Sequence, residues 1–122
     1  MNILHITDKK NQLKFRIRLI KEECSNKTNL SACRINVEDS EQNKLQYLKT
    51  ALICKFKKFG LAKDNFDLYW QDSDGDSIII SDNDDLALAL EELDGPLYEL
   101  LACLNTMITN GKLLRFEEFC HL

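Results

Sequence analysis

Between Lys63 and Lys112 the chain has no lysine and no arginine, and every charged side chain in that interval is Asp or Glu. No basic groove for nucleic acid can be built there, and no aromatic interleaves the upstream cations as it does in recognisable nucleic-acid modules. Histidine is scarce as well. His5 and His121 lie at opposite ends, which excludes a clustered zinc site and leaves no Ser/His/Asp or Cys/His constellation for nucleophilic catalysis. The five cysteines, Cys24, Cys33, Cys54, Cys103 and Cys120, are odd in number and form no C-x-x-C pair. Free thiols in a reducing, cytoplasmic setting are the expectation. No apolar run approaches the roughly 20 residues needed to span a bilayer, and residues 1–14 lack the apolar centre of a secretory signal. Gly-rich phosphate loops, repeats and low-complexity linkers are also missing.

What is present is a two-ended charge distribution. Of the 16 lysines and arginines, only Lys112 and Arg115 lie beyond residue 63, so the net charge of -4 conceals a basic first half and an acidic second half. A run of like charge is often plain solvated surface. A molecule with separated faces of opposite sign can also attract copies of itself head to tail. The 122 residues suffice for one domain, and 44% hydrophobic with 30% charged content is ordinary for a globular chain.

Periodicity supplies the elements. After a polar start at 1–12, expected to be flexible, Leu13, Phe15, Ile17 and Leu19 alternate with Lys14, Arg16 and Arg18, giving a strand with one apolar and one cationic face. Residues 22–30 are polar and read as a loop, with a second strand over about 33–38. Asp39 or Ser40 is placed to cap a helix whose Leu45, Leu48, Leu52, Phe56 and Phe59 recur at steps of three and four; Gly60 stops it. Strands follow at 66–71 and 77–80. Asp82 or Asn83 caps a second helix at 84–93, broken by Asp94-Gly95-Pro96, and 97–104 reads as a buried strand. Leu113, Leu114, Phe116 and Phe119 admit a short amphipathic helix in the tail, 105–122. The order is ββαββαβ, an α+β arrangement with helices on one face of a mixed five-stranded sheet.

The candidate site is the turn between the third and fourth strands. Asp72, Asp74 and Asp76 crowd around Gly75, and Asp84 and Asp85 follow at the start of the second helix. Such crowding of one sign costs the fold stability, so an external cation is implied, either a metal or the basic face of a protein. An EF-hand loop counted from Asp72 would need Gly at its sixth place and Glu at its twelfth; Ser77 and Asn83 stand there. A metal-assisted hydrolase would need a nucleophile and further ligands that the chain does not offer. No metal or cofactor is therefore expected, and weak calcium or magnesium binding is the remaining alternative of that class.

Over residues 13–104 the sequence resembles the Phox-and-Bem-one (PB-one) domain, a ubiquitin-like β-grasp interaction module. Its acidic signature, an aromatic, then x-D-x-D/E-G-D, then D/E nine residues on, is met by Trp70, Asp72, Asp74, Gly75, Asp76 and Asp85, with Asp84 preceding the last. Basic-type members carry a lysine in the first strand, in a context such as V-x-V-K-A-Y. Here Leu13-Lys14-Phe15-Arg16-Ile17-Arg18-Leu19 places Arg16 at that lysine, which keeps the charge and changes its shape. Arg34 matches a second-strand basic position. The resemblance is to the members with both faces, self-associating scaffolds of selective autophagy and signalling among them. It implies an acidic face of Asp72, Asp74, Asp76, Asp84 and Asp85, and a basic face of Arg16 and Arg34 with Lys14 and Arg18. The implied partners are copies of this chain or other PB-one domains, with no enzymatic, nucleic-acid or membrane role. An acidic-type domain that only heterodimerises is the alternative within the family.

Overall fold

A computed structural model describes residues 11–23, 26–109 and 112–115. Strands β1 (Gln12–Glu23) and β2 (Asn26–Glu38) are followed by helix α1 (Lys44–Lys55) and a 3-10 turn (Lys57–Phe59). Then come β3 (Phe66–Gln71), β4 (Ser77–Ile80), helix α2 (Asn83–Glu92) and β5 (Leu97–Leu104). The first five strands form one sheet in the order β2-β1-β5-β3-β4. The central pair, β1 and β5, is parallel, and the other pairings are antiparallel. This is the mixed five-stranded sheet with two helices expected from the periodicity.

Alternation sets the faces. Phe15, Ile17 and Leu19 of β1 are fully buried, and they meet Ile35 and Val37, Leu68 and Trp70, Ile80, Leu100, Ala102 and Leu104 from the other strands. Leu45, Leu48 and Leu52 of α1, Phe56 just beyond it, and Leu86 and Ala89 of α2 close the same core. Each fully buried Leu, Ile, Val or Phe side chain contributes about 1.5–3 kcal/mol relative to exposure. Phe59, expected inside, packs half-buried at the edge of this cluster. Gly60 ends the 3-10 turn at φ 82°, a left-handed conformation suited to glycine.

Several boundaries differ from the sequence reading. Of residues 22–30, which read as a loop, 22–23 and 26–30 belong to strands, and 24–25 lie outside the described residues. β1 and β2 continue as a ladder as far as Glu23 opposite Asn26, with a bulge where the register shifts between Leu19 and Ile20. Residues 26–29 are exposed, so no apolar alternation marks this arm; backbone pairing extends it. Gln12, within the segment 1–12 expected to be flexible, belongs to β1 opposite Glu38, while residues 1–10 of that segment lie outside the described residues. α1 is capped by Asn43, not by Asp39 or Ser40. Asp39 is held in a turn by its N–H, which donates to Asn11 O at 2.7 Å, and the Glu41 N–H donates to Glu38 O at 3.0 Å. In the tail, Thr106–Thr109 (β6) and Lys112–Arg115 (β7) pair as an antiparallel hairpin; of the residues that admit a short helix there, Leu113 and Leu114 lie in β7, and Phe116 and Phe119 lie outside the described residues. Ile108 stands opposite Leu113 and Met107 opposite Leu114 in the register of that hairpin.

Candidate interaction surface

The acidic turn is built around one of its own carboxylates. The N–H groups of Asp74 and Asp76 both donate to Asp72 Oδ1, at 3.0 and 2.9 Å. Backbone bonds from Gly75 N to Asp72 O and from Asp72 N to Asp76 O, each 3.0 Å, complete the turn. Gly75 has φ 84°, where a Cβ would be strained. Asp72 thus organises the turn, and Asp74 and Asp76, both exposed, point their charge outward. Oxygens of Asp72, Asp74 and Asp76 lie within 4.8 Å of one another. One of Asp72's two oxygens already accepts two N–H bonds, and the Gly and Glu positions of an EF-hand are filled by Ser77 and Asn83.

The second acidic group divides the same way. Asp82 Oδ1 accepts from the Asp85 N–H at 2.8 Å, and Asp85 Oδ2 accepts from the Ser81 N–H at 2.9 Å. This reciprocal cap starts α2. Asp84 is exposed in the first turn, where a carboxylate also complements the helix dipole. Among the described residues, no hydrogen bond engages the side chains of Asp74, Asp76 or Asp84. The outward-facing acids are these three, while Asp72 and Asp85 hold the frame that presents them.

The cations lie on the helix-free face of the sheet. Arg16 stands opposite Arg34 of β2 on one side and Glu99 of β5 on the other. Arg16 Nη1 donates to Glu99 Oε1 at 3.0 Å in a solvent-accessible ion pair. Lys14 and Arg34 are exposed and line a common depression with Asn36 and Leu97. Arg18 instead lines a depression with Asp72 and Glu99. The four predicted cations therefore separate into an open pair, Lys14 and Arg34, and a pair facing internal acids, Arg16 and Arg18. β2 and the acidic β3–β4 hairpin occupy opposite edges of the sheet. Four inter-strand spacings separate β2 from β4, about 19 Å.

Glu99 is the residue that the sequence reading missed as part of this surface. It is the only charged residue in the apolar run 97–104. On a strand beside an outward arginine, such a lone acid signals a lateral partner. Asn83 was read only as a cap for its own helix. Its Oδ1 accepts from the Leu45 N–H at 3.0 Å, and its Nδ2 donates to Asn43 Oδ1 at 3.1 Å, so it ties the start of α2 to the start of α1.

Burial raises the Cys33 thiol above its ordinary pKa, partly offset by Lys55. Burial also raises Cys103, helped by Glu22 and Asp67 and opposed by Lys27. Cys33, Cys54 and Cys103 are free thiols, and the two half-buried ones are poor nucleophiles at neutral pH. His5, His121, Cys24 and Cys120 fall outside the described residues. Among the described residues no helix is long and apolar enough to cross a membrane.

No family model matches the sequence, and no curated protein matches it. Among solved structures, the PB1 domain of Cdc24p (long form) aligns with TM-score 0.54 at 21% identity, over 77% of this chain and 96% of that one. A superantigen-like protein from Staphylococcus aureus aligns at TM-score 0.43 and 10% identity, over 76% of this chain and 51% of that one, too loosely to argue from. With a parallel β1–β5 centre, a helix crossing between β2 and β3, and an acidic hairpin before the second helix, the chain has the ubiquitin-like β-grasp fold of a PB1 domain.

Proposed function

We propose that this chain is a protein–protein interaction module that associates head to tail with copies of itself. The exposed acids Asp74, Asp76 and Asp84 of one molecule receive Arg34 and Lys14 of the next, with Arg16 and Arg18 flanking. The observation that carries this reading is the separation of the open acids, in the β3–β4 turn and at the start of α2, from the open cations on β1 and β2 at the other side of the sheet. Two different faces make the contact heterologous, so it propagates into filaments or closes into rings. The sequence resemblance to the self-associating domain of sequestosome, a selective-autophagy scaffold, supports the same mode.

Magnitudes agree with a reversible assembly. An isolated exposed ion pair contributes about 0.2–1 kcal/mol, whereas close pairs in a complementary interface couple by about 1.5–7 kcal/mol. A few such pairs reach roughly micromolar affinity, about -8 kcal/mol. Sedimentation tests the reading. Mass should rise with protein concentration at low salt and fall as salt shortens the screening length to about 8 Å at physiological strength and below. A monodisperse monomer at high concentration and low salt would remove the homo-oligomer. Binding to a separate basic-type domain would then support the heterodimeric alternative.

A further inference from the structure

We infer that Glu99 is an internal competitor for the basic face, setting its affinity and its choice of contact residues. This rests on the head-to-tail reading above. Three charges form one lateral row on the helix-free side of the sheet: Arg34 on β2, Arg16 on β1 and Glu99 on β5, fixed by the register Arg34↔Arg16↔Glu99. Glu99 Oε1 already accepts from Arg16 Nη1 at 3.0 Å. Neighbouring strands are about 4.8 Å apart, so Arg34 sits roughly 10 Å from Glu99, near the limit of screening. An incoming carboxylate aimed at Arg16 meets two obstacles. It must displace or share the Glu99 contact, and it approaches a like charge at close range, which interfaces use to reject partners.

The consequence is a division of labour. Lys14 and Arg34, which share a depression that Glu99 does not line, are the cations an acidic partner engages first. Arg16 contributes fully only when Glu99 turns away. The ion pair is solvent-accessible, at 41% and 57% exposure for its two side chains, so the exchange needs no rearrangement of the core. Glu99 thereby keeps the contact weak, and neutralising it releases Arg16 to the partner.

The test uses two single-faced variants of the full chain. Asp74→Ala with Asp76→Ala leaves the basic face, and Lys14→Ala with Arg34→Ala leaves the acidic face. Their mutual Kd is measured by titration calorimetry, with and without Glu99→Gln in the basic-face partner. The inference expects Glu99→Gln to tighten Kd about 3- to 10-fold. It expects most of that gain to vanish when Arg16→Gln is added, since the effect acts through Arg16. Melting temperature confirms that each variant is folded. If the heterodimer forms but Glu99→Gln leaves Kd unchanged or weaker, the inference is overturned and the head-to-tail reading stands. A gain of equal size in the Arg16→Gln background also overturns it, because removal of one negative charge then suffices. Absence of any heterodimer, with or without Glu99→Gln, overturns both.

Discussion

Arg16 and Glu99 face each other across the parallel β1–β5 pairing, Nη1 to Oε1 at 3.0 Å, so this first-strand arginine is already partnered within its own molecule. Arg34 and Lys14 are not so engaged among the described residues. Arg34→Ala should therefore weaken self-association by about tenfold or more, corresponding to the roughly 1.5 kcal/mol lower bound for a close interfacial pair. Arg16→Ala should cost less, about threefold. Sedimentation of both variants across a concentration series checks the order, and a larger loss from Arg16→Ala contradicts it.

The acidic turn should separate framework from charge. Asp72→Ala removes the acceptor of the Asp74 and Asp76 N–H groups. At about 0.5–1.5 kcal/mol per hydrogen bond, partly replaced by water, a loss near 1 kcal/mol is expected. That lowers Tm by about 4–8 °C for a domain of this size. Asp74→Ala and Asp76→Ala should leave Tm unchanged or raise it by relieving repulsion, while weakening association. Calorimetric melting of the three variants decides. Equal destabilisation by all three would show that the charges are structural.

Asn65 is buried at 2% exposure with both ends of its side chain satisfied. Oδ1 accepts from the Ala62 N–H at 2.8 Å, and Nδ2 donates to Gly60 O at 2.7 Å. It locks the connection between the 3-10 turn and β3. Asn65→Leu should destabilise by about 1–3 kcal/mol, because the backbone groups it serves are left without partners. Chemical denaturation measures this directly, and a stable variant with unchanged midpoint contradicts the assignment.

The order of elements along the chain and the two-helix pattern could be read from the sequence because apolar residues alternate cleanly over 13–19 and 66–71 and recur at helical spacing over 45–56. The acidic turn was equally legible, since Asp, Gly and spacing are local properties. The long β1–β2 arm was hidden because its residues 26–29 are polar and exposed on both sides, so pairing leaves no trace in hydropathy. The Arg16–Glu99 pair and the Asn83 link to α1 join residues 83 and 38 positions apart. Only the sheet register and helix packing bring them together, and no local pattern encodes that.

Thiol titration gives a pH dependence with a definite sign. Burial raises the Cys33 and Cys103 pKa above the ordinary 9.0 in the folded state. The protonated thiol is the form that the fold favours, so the contribution is fully present below pH 9 and is lost as pH rises through the folded-state value. Tm should fall as pH rises above about 9, and the decline should be shallower in Cys33→Ala with Cys103→Ala. Equal slopes would remove the thiols from the account.

Divalent ions should matter little. With one oxygen of Asp72 committed to two N–H groups, millimolar calcium should shift Tm by no more than about 1 °C, and chelator should not disperse oligomers. Saturable binding well below about 10 μM implies several kcal/mol of linked stabilisation at millimolar ion. Such binding, lost in Asp74→Ala, would assign the turn to a metal.

Mixing the two single-faced variants tests head-to-tail association most directly. Asp74→Ala with Asp76→Ala, and Lys14→Ala with Arg34→Ala, should each sediment largely as monomers at a concentration where the unaltered chain forms higher species. Combined at equal concentration and low salt, they should give a one-to-one heterodimer that grows no further, because each partner has one working face left. A mixture that stays monomeric, or variants that still form long assemblies alone, contradicts the assignment of opposite faces to opposite sides of the sheet.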